Sequence, residues 1–92
     1  MAVRTPAATL TFLFSDIEGS TRLLDTLGSE AYTSVLERQA AIMRAAIAAH
    51  DGREEGTEGD SFFVVFESAI EAVEAAVEAQ RALASEPWPP GV

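Results

Sequence analysis

Two aspartates, each standing where an apolar stretch meets a polar turn, are the residues of this chain best suited to chemistry. Asp16 ends the run Thr11-Phe12-Leu13-Phe14-Ser15 and opens the loop Ile17-Glu18-Gly19-Ser20-Thr21. Asp60 sits in the turn Gly59-Asp60, directly ahead of Ser61-Phe62-Phe63-Val64-Val65-Phe66. Two carboxylates brought together beside a glycine-containing loop suit Mg²⁺ carrying a polyphosphate. That ion takes one or two carboxylates, keeps several waters and accepts its other oxygens from phosphate. Two such ions can clamp the attacking and leaving oxygens of an in-line displacement. The segment Glu18 to Thr21 runs into a helix, whose free N–H groups and dipole favour a phosphate, and Gly19 lets the backbone come close. Without cations the two aspartates would repel each other. Arg22 and Arg53 could help hold phosphate, although a lone surface arginine is ordinarily solvated. Taken singly, an aspartate after a strand is a turn or cap residue; only the meeting of Asp16 and Asp60 in space gives them a shared function.

The flanking patterns must supply that meeting. Ala8 to Ser15 reads as a strand, with Leu10, Phe12 and Phe14 on one face and Thr9, Thr11, Leu13 and Ser15 on the other. A short helix over Thr21 to Leu27 ends at Gly28. Ser29 is the expected N-cap of a longer helix in which Tyr32, Val35, Leu36, Met43, Ala46 and Ile47 recur at helical spacing. Glu37, Arg38 and Arg44 fall on its outer face. His50-Asp51-Gly52 closes it, with Gly52 expected in the left-handed conformation. His50 reads as a helix-end residue at the negative pole of the dipole rather than a ligand.

Arg53 to Glu58 and Ser61 to Phe66 read as two strands of a hairpin, with Gly59 at the first central position of a type II′ turn. The run Phe62 to Phe66 is apolar on both faces and should be central in its sheet. Ser68 and Glu71 form a capping box. The helix after it is expected to bury Ala69, Ala72, Val73, Ala76, Val77 and Leu83, leaving Glu71, Glu74 and Glu78 as a solvated face. Pro87 to Gly91 cannot continue a helix.

Strand, two helices, hairpin, helix is an α+β order: a ferredoxin-like β-α-α-β-β-α unit, incomplete and lacking its later strands. Its first and third strands are antiparallel neighbours, which sets the Asp16 and Asp60 ends side by side. The divisions are a tail over 1–7, the folded unit over 8–86, and a Pro-rich linker or truncation point over 87–92.

Bulk composition narrows the function. Ninety-two residues form one small domain with a modest core. A net charge of −9 argues against direct nucleic-acid binding. There is no cysteine, so thiolate metal sites and disulfides are excluded. All six basic residues are arginines. No apolar run approaches the ~18 residues that span a bilayer, and no signal core follows Met1, so a cytoplasmic address is the default.

The stretch TFLFSDIEGSTRLL, Thr11 to Leu24, resembles the first metal motif of class III adenylyl and guanylyl cyclases, and GREEGTEGDSFFVVF, Gly52 to Phe66, resembles the second. The intervening helices and the ending RALASEPWPPGV are similar to the bacterial branch of that family. The resemblance covers nearly the whole chain and corresponds to the N-terminal half of the catalytic domain. It implies that Asp16 and Asp60 bind two Mg²⁺ or Mn²⁺ ions with the carbonyl of Ile17, and that Ile17, Glu18, Gly19, Ser20 and Thr21 hold the phosphates of ATP or GTP. One metal would activate the ribose 3′-hydroxyl for attack on the α-phosphate, releasing pyrophosphate and a cyclic nucleotide.

Two departures stand out. Adenylyl cyclases of this type carry a base-reading lysine four residues before the second aspartate; here that position is Gly56, and the chain has no lysine. Guanine-specific relatives often carry glutamate there, and Glu55 lies one position off. The family's second base-reading residue and its transition-state asparagine and arginine belong to later strands, which would follow Val92. The resemblance also implies a dimer with sites across the interface, so that this chain supplies the metal side and is inactive alone; the partner is a second copy or the remainder of a longer chain. Two other readings compete. One is a degenerate nucleotide-binding or dimerisation module of a larger regulator. The other is a diguanylate cyclase, echoed distantly by Glu58-Gly59-Asp60-Ser61-Phe62 but lacking the paired glycines of that motif.

Overall fold

Alternation of threonine with phenylalanine and leucine makes the first element a strand, β1 (Thr11–Ser15). In the computed structural model, which describes residues 9–92, it is followed by α1 (Ser20–Leu27), α2 (Ser29–Ala49), β2 (Arg53–Glu58), β3 (Ser61–Phe66) and α3 (Ala69–Ser85). β1 is shorter than the pattern suggested: Thr9 and Leu10 precede it, while Ala8 and the tail over 1–7 lie outside the described residues. Both hairpin strands have the expected bounds, because the Gly59-Asp60 turn fixes where each must end. Gly59 takes φ 60° and Asp60 keeps negative φ, as the type II′ hairpin requires. No helix among the described residues is long and apolar enough to cross a membrane.

The sheet order is β1-β3-β2, with both pairings antiparallel, so the strand that is apolar on both faces is central and β1 is an edge. Ser15 pairs with Phe62 and Thr11 with Phe66. The β2–β3 ladder slips between Glu54 and Gly56, leaving Glu55 without a partner in a bulge.

Directly opposed residues share a face. Leu13, Val64, Phe62 and Phe66 thereby face the helices and join Met43, Ala46 and Ile47 of α2 and Ala72, Ala75 and Ala79 of α3 in the core. Phe12, Phe14 and Phe63 line the opposite face. Phe14 stacks on Phe63 with ring centroids 4.6 Å apart, and Phe12 meets the same ring edge-on at 5.5 Å. Phe14 is nonetheless 73% exposed.

Several local expectations are corrected. Ser29 is the first residue of α2 rather than its cap; Gly28 is the cap, donating to Leu24 O and accepting from Tyr32 N–H. Asp51, not Gly52, takes the positive φ after α2 (58°). Gly52 is needed for space: its N–H reaches Ile47 O at 2.9 Å, and a Cβ there would stand 2.6 Å from the Phe66 ring.

The capping box is half made. Ser68 Oγ accepts from Glu71 N–H at 3.2 Å, but the Glu71 carboxylate turns to His50 instead. The expected buried face of α3 was also rotated. Ala72, Ala75 and Ala79 face the core, because alanines let the helix approach the sheet closely; Ala69, Val73 and Val77 are exposed, Val73 by 62%. Nor is the outer face of α2 merely solvated: Arg38 pairs with Glu86, and Arg44 binds both oxygens of Glu54.

Candidate functional site

The antiparallel pairing of β1 with β3 puts the C-terminal end of one beside the N-terminal end of the other. Asp16 directly follows Ser15, whose partner is Phe62, and Asp60 stands two residues before that partner. The carboxylates converge on one amide. Ile17 N–H donates to Asp16 Oδ1 and to Asp60 Oδ2, each at 2.9 Å. Ser61 Oγ approaches Asp16 Oδ1 at 3.5 Å. Asp16 is exposed and Asp60 half-buried.

Proximity makes the pair titrate as a unit. Asp16 is held above the usual carboxylate range, first by its side-chain hydrogen bond with Asp60, then by burial and by the Asp60 charge. Asp60 is held below it: burial pulls upward, and hydrogen bonds from Asp16, from Ile17 N–H and from its own backbone outweigh that.

Ile17 and Glu18 lead into Gly19, which adopts φ 69° and caps α1 with no side-chain hydrogen bond to the helix's first amides. Its carbonyl accepts from Leu23 N–H at 3.0 Å. Ser20 and Thr21 are already the first two residues of α1. Arg22 lines a hollow with Ile17, Glu18 and Gly19, within reach of the loop. Arg53 does not join the site: its Nε lies 3.3 Å from Glu55. Gly56 pairs with Phe63 on the face away from the helices and lines an open groove of about 540 Å³ that it shares with Phe14, Asp16, Glu58 and Ser61.

The donor chemistry fits a hard divalent cation. Two carboxylates and a neighbouring main-chain carbonyl are oxygen ligands of the kind Mg²⁺ and Mn²⁺ take. Two carboxylates that converge on a single amide leave a deficit of positive charge between Asp16 and Asp60. Two groups near the site escaped the sequence reasoning. Ser61 was legible in principle, since it follows Asp60 on the strand. The Ser15 hydroxyl, buried without a hydrogen-bond partner beside Asp16, carries no pattern that would reveal it.

Comparison with known proteins follows the same residues. The family described as the adenylate and guanylate cyclase catalytic domain matches residues 3–85. An adenylate cyclase of Neurospora crassa is 33% identical over 87 residues, covering 95% of this chain and 4% of that protein. Two solved structures of adenylate cyclases from Trypanosoma brucei in their monomeric state superpose with TM-scores of 0.86 and 0.80 at 29% and 30% identity. Each match covers 95% of this chain and 37% of the other. The chain thus spans well under half the length of these relatives. With both aspartate segments and the hairpin inside the matched region, the chain belongs to the adenylate and guanylate cyclase catalytic domain family.

Proposed function

We propose that this chain forms the metal- and triphosphate-binding side of a nucleotidyl cyclase site that converts ATP or GTP into a 3′,5′-cyclic nucleotide and pyrophosphate. The observation that carries this reading is the convergence of the Asp16 and Asp60 carboxylates on Ile17 N–H, at the entrance to α1. Asp16, Asp60 and the Ile17 carbonyl would hold two Mg²⁺ or Mn²⁺ ions. When bound, such ions supply Lewis-acid stabilisation of charge on phosphoryl oxygens and lower the pKa of a coordinated hydroxyl.

The remaining work falls to this chain's own groups. Within the segment Ile17 to Thr21, the Ile17 N–H is taken by the two carboxylates, and the backbone amides after it bind phosphate at the α1 N-terminus, where the helix dipole favours negative charge. Gly19, in the left-handed conformation, turns the chain so that those amides are presented together. A second copy, or the remainder of a longer chain, completes the pocket around the base and the transition state. Gly56 offers no side chain to the base, so adenine and guanine both remain candidates.

Calorimetric titration of nucleotide with and without Mn²⁺ tests this, using the chain and its Asp16→Asn and Asp60→Asn variants. Metal-dependent ATP or GTP binding that both substitutions abolish, with unchanged circular dichroism, is expected. Binding that survives both would sink the proposal. The missing side chain at Gly56 favours one second reading, a nucleotide-binding or dimerisation module without turnover. Product analysis after adding a complementary cyclase half separates the two: a cyclic mononucleotide marks the cyclase, bound but unchanged nucleotide the module.

A further inference from the structure

His50 caps the C-terminal end of α2, where its N–H meets the carbonyl of Ile47 at 3.2 Å. Its side chain is only 15% exposed and lies against α3. Nδ1 is 3.2 Å from Glu71 Oε2 and 3.6 Å from Glu74 Oε2, while Nε2 is 3.2 Å from Glu78 Oε1. A carboxylate therefore faces each ring nitrogen. A neutral imidazole has one donor and one acceptor nitrogen, so one of these contacts would set a lone pair against an anionic oxygen. Imidazolium donates from both and satisfies the arrangement with both carboxylates ionised.

The surroundings favour the same charge state. Glu71, Glu74 and Glu78 follow one another at helical spacing on one face of α3, where like charges repel. Among the described residues no arginine pairs with any of them: Arg81 borders a hollow with His50, Glu74 and Glu78 without forming an ion pair, Arg44 is bound to Glu54, and Arg53 turns to Glu55. Asp51, next in the chain, adds a further exposed negative charge. The negative pole of α2 favours a cation at its end, and the first turn of α3 favours an anion at Glu71.

We propose that protonated His50 staples the end of α2 to α3 through Glu71, Glu74 and Glu78, and that losing this proton releases the two helices from each other at that end. The imidazole pKa is raised, by Glu78 foremost; burial opposes this, and Glu71 adds to it. A folded-state pKa above the unfolded one means that the staple's stabilisation is complete below the unfolded value. It is lost as pH rises through the folded value. The device lies outside the Asp16–Asp60 site and does not depend on its chemistry. Its reach is structural: the end of α2 leads straight into β2, and so into the hairpin that presents Gly56 and Asp60.

His50 is the only histidine in the chain, so its imidazole Cε1–H resonance reports on this group alone. The experiment is an NMR pH titration of the chain, native and in urea, with EDTA present. A native midpoint above the urea midpoint is expected, and Glu78→Gln should move it back toward the urea value. The melting-temperature difference between wild type and His50→Gln should be positive in mild acid and vanish in mild alkali. A native midpoint at or below the urea value, or one indifferent to Glu78→Gln, overturns the proposal. The ligand atoms of His50, Glu71 and Glu74 lie within 4.8 Å of one another, a spacing that also admits a divalent cation. An imidazole that titrates only after EDTA treatment would assign the cluster to a metal ion and overturn the staple as well.

Discussion

Gly52 stands where α2 gives way to β2, with its open side against the ring of Phe66. A Cβ placed there would lie 2.6 Å from Cε2 and 2.7 Å from Cζ of that ring, and 2.9 Å from Cγ2 of Ile47. Carbon atoms rest at ~3.5–4.0 Å, so Gly52→Ala forces an overlap of about 1 Å. Phe66 is 1% exposed and Ile47 is buried, so neither can swing into solvent. Relief must come from moving β3 against α2, and one methyl too many in a packed core costs ~1–3 kcal/mol. Alanine also restricts the unfolded chain, which returns ~0.4–1 kcal/mol. The steric cost is the larger, leaving a net loss of about 1–2 kcal/mol. For a domain of this size each kcal/mol moves Tm by ~4–8 °C, so Gly52→Ala should melt ~5–15 °C lower by far-UV circular dichroism. Phe66→Leu removes the ring atoms that clash, and in that background the alanine penalty should largely disappear. An unchanged or raised Tm for Gly52→Ala, with Phe66 intact, would refute the packing described for this corner.

The remaining expectations concern activity, acid stability and self-association. Residues 1–92 alone should form cyclic nucleotide at least ~100-fold more slowly than the same chain joined to a complementary half, the order lost with a single transition-state donor. Full-rate, Asp60-dependent turnover by the chain alone would contradict this. Glu54 is held down from 4.5 to about 2, chiefly by its hydrogen bonds from Arg44 and then from Thr57. Its contribution is therefore complete above 4.5 and lost as pH falls toward 2. Acid unfolding followed by circular dichroism should weaken Glu54→Gln less than wild type across that window; superposable curves would argue against it. With Phe12 and Phe14 exposed over the half-buried Phe63, the chain should sediment above monomer mass at micromolar concentration, and Phe14→Ser should lower that mass. Identical sedimentation of the two would remove this face as the contact.

Elements announced by local chemistry were legible, and those decided by packing were not. The hairpin came out with its bounds intact because Gly59-Asp60 punctuates two strands whose composition leaves little choice. The central place of β3 followed from Phe62 to Phe66 being apolar on both sides. Period-two alternation in β1 separated its residues into two faces without saying which would meet the helices. The core took Leu13 and left Phe14 outside. On α3 the periodic valines looked like the buried stripe, yet close approach to the sheet selected the smaller Ala72, Ala75 and Ala79. The Asp16–Asp60 meeting was inferable because it needs only antiparallel pairing of β1 with β3. The His50 cluster was not: it depends on how the end of α2 lies on α3, and Glu71 left its expected capping contact to join it.

The chain holds a single tryptophan, and its position gives it an optical use. The Trp88 indole N–H donates to Leu83 O at 2.8 Å, and the half-buried ring borders a hollow shared with Asp16, Ile17 and Glu18. Light absorbed at the red edge of the aromatic band excites this ring without Tyr32. Its emission then samples the polarity of the hollow into which the loop beside Gly19 faces. Filling or emptying of that loop can be followed as a colour shift from an unlabelled protein, on the timescale of a stopped-flow mixer.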